Sequence, residues 1–228
     1  MSHELRSPLT SIQSLAEILR DYPDTSQMEQ NNLLDVMINE IHRLSRLINQ
    51  VLDFQKIETG KMQWRTEPVD LLQVIKGACE ATQQLVRDKQ MRLSLDLPSQ
   101  VPMLTGDSDQ LMQAMVNLIT NAVKFCQPIT GRIHIRLAHE NNKMRIMVHD
   151  NGIGIRSEDH EAVFEQFRQI TTAAGRGRPQ GSGLGLAITR RIIDQHKGRI
   201  WVDSELGLGA TFHILLPLLS PIEKLQSG

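Results

Sequence analysis

His3 is followed directly by Glu4. A neutral imidazole is a competent nucleophile toward phosphorus near pH 7. An adjacent carboxylate can hold one ring nitrogen protonated and raise the reactivity of the other. Taken alone, such a pair is most often solvated helix surface. A second set is Asn117, Asn121 and Lys124, which fall on one face if the segment is helical. Two amides and an ammonium on one face suit a metal-bound polyphosphate, because amide oxygens ligate hard Mg²⁺ and lysine offsets phosphate charge; an ordinary polar helix face is the competing reading. Asp150-Asn151-Gly152-Ile153-Gly154 ends an apolar run. All its polar members are turn formers, yet Asp150 could also accept a hydrogen bond from an adenine amino group, with the glycines letting backbone approach closely. Finally, Gly181, Gly183, Leu184 and Gly185 open an apolar-periodic run. Glycines at a helix start free backbone amides to face phosphate, and the helix dipole favours the anion. The spacing is not the dinucleotide fingerprint, and no strand leads directly into it.

Elements must hold these groups. From His3 to Arg20, Leu5, Leu9, Ile12, Leu15, Ala16 and Leu19 recur at helical spacing, with Pro8 inside the pattern. Residues 21–26 read as a connection. A second helix is expected from Met28 to Lys56, with Met37, Ile41, Leu44, Ile48 and Val51 as a heptad seam. One hairpin cannot cover both apolar faces. Pairing two hairpins into a four-helix bundle would, so a homodimer is expected; packing on the chain's own second domain is the alternative. Thr59-Gly60 ends the helix. Beyond it the pattern predicts a helix over 69–89, a strand over 92–97 and a helix from an Asp107 cap to Phe125. It then predicts a hairpin of strands at 132–138 and 143–149 around Asn141-Asn142. A helix over 183–196 and strands at 199–204 and 210–216 close the chain. Antiparallel strands with helices on one side describe an α+β sandwich. The expected fold class is therefore α+β: a helical hairpin, then an α/β sandwich. The units are 1–60, a linker at 61–66, a nucleotide domain at 67–218 and a tail at 219–228.

The formal net charge of −1 argues against nucleic-acid or membrane-surface binding, which needs a positive excess. Cys79 and Cys126 lie far apart in unlike contexts, which favours a reducing, cytoplasmic compartment over a disulfide scaffold. No apolar run nears the ~18 residues a membrane span needs, and none reads as a signal peptide. Because the first helix opens only two residues before His3, the native helix is expected to continue upstream, with any membrane sensor outside this stretch.

As a string, His3-Glu4-Leu5-Arg6-Ser7-Pro8-Leu9-Thr10 resembles the phospho-acceptor box of HisKA-type sensor histidine kinases. The resemblance implies His3 as phosphorylation site and Glu4 as its acid/base partner. Ser7 stands where the family commonly has Thr or Asn to position water for dephosphorylating the partner; it keeps a hydroxyl without the methyl that restricts its rotamer. The run Asn117 to Phe125 resembles the family's N box, implying Asn121 as magnesium ligand, Asn117 and Lys124 near the phosphates and Phe125 near the base. Asp150 to Gly154 resembles the G1 box. Phe164 to Gln169 resembles the F box, whose Phe164 and Phe167 seat the base of a mobile lid. Gly181 to Ile188 resembles the G2 box. Between them, Arg168, Arg176 and Arg178 are candidates to reach phosphate. Gly207 and Gly209 read as a structural turn. The boxes occur in the family's order over about residues 1–218. They imply ATP and Mg²⁺ as cofactors, autophosphorylation on His3, and transfer to a response-regulator aspartate. The related hydrolases carry a glutamate general base where this chain has Asn117, and they lack the histidine box. A nucleotide-binding scaffold without activity would be expected to lack His3, Asn121 or Asp150, all of which are present.

Overall fold

The computed structural model describes residues 2–22, 26–168 and 183–218, without the side chains of residues 2–4 and 53. Helix α1 spans Ser2–Asp21 and α2 spans Gln27–Glu58. Pro8 lies inside α1 and is buried. The start of α2 is fixed by a capping box: Ser26 Oγ accepts from Glu29 N (3.3 Å), and Glu29 Oε2 accepts from Ser26 N (3.2 Å). Thr59 ends it and Gly60 turns the chain at φ +66°. Of the expected seam, Met37, Leu44 and Val51 are half-buried, but Ile41 and Ile48 remain 47 % and 44 % exposed. A single hairpin shields only one side of its own stripe.

Beyond residue 66 come β1 (Glu67–Val69), α3 (Leu71–Asp88), β2 (Arg92–Asp96), β3 (Leu104–Gly106) and α4 (Ser108–Phe125). There follow β4 (Arg132–Glu140), β5 (Lys143–Asp150), α5 (Gly185–Gln195), β6 (Arg199–Glu205) and β7 (Gly209–Pro217). The helix expected from Val69 begins later, because Asp70 is its cap: Oδ1 accepts from Leu72 N at 2.9 Å. Neither β1 nor β3 is foreshadowed by the sequence pattern; they pair antiparallel as a separate two-stranded sheet. The main sheet runs β2-β4-β5-β7-β6. It is mixed, not wholly antiparallel as the pattern suggests, because β2 lies parallel to β4. The chain leaves β2 and returns through β3 and α4, the crossover that parallel neighbours require. The β4–β5 hairpin turns on Asn141 and Asn142 at φ +47° and +60°, the backbone a two-residue type I′ turn needs.

Strand alternation sends Ile133, Ile135, Met144, Ile146, Phe212 and Ile214 to one face, where α3, α4 and α5 bury them. Each fully buried aliphatic side chain stabilises by about 1.5–3 kcal/mol. Phe54 of α2 is also buried in this core, the point where the hairpin meets the sheet domain. Among the described residues no helix is long and apolar enough to cross a membrane.

Candidate functional site

The amide-bearing face comes first. Asp107 caps α4, its Oδ1 accepting from Gln110 N at 3.1 Å. Leu111, Ala114, Met115, Leu118, Ile119, Ala122 and Val123 fix the helix on the sheet. That leaves Asn117, Asn121 and Lys124 half-buried on the other side. At the helix end Lys89 Nζ donates to Val123 O at 2.6 Å, satisfying a carbonyl that has no intrahelical partner. Lys124 lies 4.6 Å over the exposed Phe125 ring. Burial first, then the charge of Arg43 on α2, pulls its ammonium below the ordinary value.

Asn117 reaches across to α5. Its Nδ2 donates to Gly185 O at 3.3 Å and lies 3.4 Å from Thr189 Oγ1. The amide face of α4 is thus brought against the glycine-led start of α5, with Leu184 buried beneath it. Gly181 lies outside the described residues, as do Gln169, Arg176 and Arg178.

Asp150 ends β5 and is buried, its Oδ1 accepting from Gly152 N at 2.8 Å. Burial pushes its carboxyl above the usual range, and the Gly152 N–H opposes that shift. Gly154, at φ +70°, lies so close to Glu205 O that no Cβ fits. Gly209, at φ +94°, lies equally close to Asp150 O. The turn at 205–209, read from sequence as merely structural, therefore packs backbone to backbone on the Asp150–Gly154 loop. Ser204 Oγ bridges the two, accepting from Ile155 N (2.8 Å) and donating to Gly209 O (2.6 Å). Asn151 ties the loop to β4 through Arg132 N (2.6 Å) and Thr130 O (3.1 Å). Cys126 is buried beside it, 3.9 Å from Asp150 Oδ1, and burial raises its thiol to about 11. Ser204 and Cys126 escape sequence reasoning because a lone Ser or Cys carries no periodicity; Asn151 is signalled only as a member of the glycine string.

Phe164 is a core residue, edge-on to Phe212 at 6.2 Å. Phe167 is half-exposed at φ +59°, and its N–H donates to Gly183 O at 3.1 Å. Arg168 pairs with Asp159 at 3.7 Å. Residues on either side of 169–182 are thus pinned together. His3, Glu4 and the exposed Ser7 lie in the first two turns of α1. The fold brings Asn117 against Gly185 and sets Gly152 beside the Phe125 carbonyl, with Asn121 and Lys124 half-buried further along α4.

Residues 106–220 match the family model described as "Histidine kinase-, DNA gyrase B-, and HSP90-like ATPase", and residues 1–60 match "His Kinase A (phospho-acceptor) domain". Drug sensory protein A of Synechocystis sp. is 38 % identical over 223 residues, covering 93 % of this chain and 33 % of that protein. Histidine kinase AdeS of Acinetobacter baumannii superposes with TM-score 0.77 at 23 % identity, over 96 % of this chain and 98 % of AdeS. Full-length ShkA in complex with AMPPNP superposes with TM-score 0.71 at 26 % identity, over 96 % of this chain and 45 % of ShkA. The chain spans about a quarter to a third of the length of most of the curated relatives it matches, and 58 % of one.

Proposed function

This chain belongs to the histidine kinases, and from that premise we propose that it phosphorylates itself on His3 with ATP and passes the phosphoryl group to an aspartate of a response regulator. Residues 1–60 form the dimerising phospho-acceptor unit, 61–66 the linker and 67–218 the ATP domain. The observation that carries this reading is the bridge from Asn117 to Gly185. It sets the amide face of one helix beside the glycine-led N-terminus of another, whose backbone amides and dipole favour phosphate. Asp150 serves the base, its carboxylate preoriented by Gly152 N and its loop backed by Gly209. Asn117 cannot act as a general base for water, which favours phosphotransfer over hydrolysis.

The donor set fits magnesium. No group of three or more His, Cys, Asp or Glu converges among the described residues. Mg²⁺ is usually held by one or two protein oxygens, waters and the substrate's own phosphates; Asn121 is the residue that would hold it. Bound there, it would neutralise charge that develops on the transferring phosphoryl group. Glu4 orients the His3 ring, and Lys124 and Arg168 offset phosphate charge. Ser7 keeps a hydroxyl on the acceptor helix where relatives commonly have Thr or Asn. The catalytic portion works in the cytoplasm, as a homodimer, without nucleic acid and without membrane contact of its own.

The test is incubation with γ-labelled ATP and Mg²⁺, comparing this chain with His3→Gln and Asn121→Ala. Label that is lost in acid, survives alkali and is absent from both variants is the expected result. Label persisting in His3→Gln overturns the assignment.

A further inference from the structure

Far from the phosphate side of α4, a second bridge joins α4 to α5. Asp107 N donates to His196 Nε2 at 2.9 Å, while His196 Nδ1 lies 2.7 Å from Ile192 O. A carbonyl can only accept, so Nδ1 carries the proton and Nε2 offers its lone pair; the two partners fix the neutral tautomer. The Cδ2–Nε2 edge of the ring abuts Gly106, where an added Cβ would come within 2.5 Å of His196 Cδ2. Asp107 has two further duties. Oδ1 caps α4, and Oδ2 accepts from Arg65 N at 2.9 Å. Trp64 stands edge-on to the His196 ring at 6.0 Å, and the Arg65 guanidinium pairs with Asp109 at 3.0 Å. The linker, α4 and α5 therefore meet at one imidazole.

The two bridges form a pattern. Asn117–Gly185 and Asp107–His196 are ten residues apart along α4 and eleven along α5. At 1.5 Å per residue that is about 15 Å on either helix. The helices thus run antiparallel as a rigid pair, with the phosphate-side bridge at one end and the linker at the other.

We propose that His196 couples the linker at 61–66 to the nucleotide site and thereby acts as a positioning residue for transfer to His3. It touches neither nucleotide nor acceptor. It fixes where the linker meets the α4–α5 pair, and so sets the attitude of the ATP domain toward the hairpin. The consequence for transfer rests on the kinase reading above; the coupling itself does not.

The experiment uses the full chain. Trp201→Phe leaves Trp64 as the only tryptophan, since the chain has two, and Trp64 emission then reports the linker. A non-hydrolysable ATP analogue should change Trp64 emission when His196 is present and not in His196→Leu, although both bind the analogue within about two-fold. Transfer to His3 should fall about ten- to hundred-fold in His196→Leu, as slight misplacement does. Gly106→Ala, which displaces the ring without altering it, should act in the same direction. His196→Gln, whose amide oxygen can accept from Asp107 N, should recover most of both signals. Emission changes of equal size in the unaltered chain, His196→Leu and His196→Gln would remove the bridge from the mechanism. A wild-type rate in His196→Leu overturns the proposal. If the unaltered chain never labels His3, the kinase reading falls, and the Trp64 response alone still decides the coupling.

Discussion

Asp150, proposed to read the adenine, is a residue whose burial works against stability. Its carboxyl is buried with the Gly152 and Ala210 N–H groups and a neighbouring thiol for company. Burial raises its folded-state pKa above the unfolded value, so at any pH above that raised value the folded protein carries the full cost of the charge. Asp150→Asn removes the cost and keeps the shape. We expect a melting temperature unchanged or higher, while ATP affinity falls about 10- to 150-fold, the worth of a hydrogen bond to a charged group. Calorimetric titration beside thermal unfolding checks both, and a drop of several degrees in melting temperature would contradict this account. Asp150 was legible in the sequence because it sits in a string of turn formers and glycines. Ser204 and Asn151 act through side-chain hydrogen bonds to backbone groups distant in sequence, and Gly209 through close backbone packing, and no local pattern encodes those pairings.

At the scale of elements, the legible parts were those with strong local signals. Asp107 as a cap, the Asn141-Asn142 turn and the amphipathic α4 follow from the residues themselves. The parallel placing of β2 and the three-residue strands β1 and β3 do not, since three residues are too short for alternation and pairing direction is settled by the crossover. The last elements also carry a pH dependence. His196 on α5 and His213 on β7 are both held below the ordinary imidazole pKa, chiefly by burial. His196 faces Asp107, with Arg65 and Asp109 beyond it. His213 is stacked by Trp201 and faces Asp203 (2.9 Å) and Arg145 (3.3 Å). A lowered folded-state pKa means the unfolded chain binds more protons. Stability is therefore complete above about pH 6.5 and falls as pH drops below that ordinary value. Denaturant unfolding from pH 7.5 to 5 should show the decline, and His196→Gln with His213→Gln should flatten it.

The whole molecule exposes what it needs a partner to cover. Leu34, Ile38, Ile41, Ile48 and Leu52 all lie exposed along α2. A strip of that length is more than scattered surface apolarity, and a second hairpin is the occupant proposed. Ile41→Glu with Ile48→Glu should shift the chain from dimer to monomer in sedimentation equilibrium at tens of micromolar, leaving ATP binding intact. A monomeric unaltered chain would refute the bundle.

The two α4–α5 bridges also say where length can change. Deleting one residue from α4 between Asp107 and Asn117, or from α5 between Gly185 and His196, rotates everything beyond it by about 100°. One bridge then survives and the other points elsewhere. Between Phe167 and Gly183, whose backbones are tied to each other, added residues leave that tie and both helices in place. When relatives are aligned, gaps should gather between those two residues and be absent from both helices, so that the register of the pair becomes a ruler for telling a true relative from a chance one.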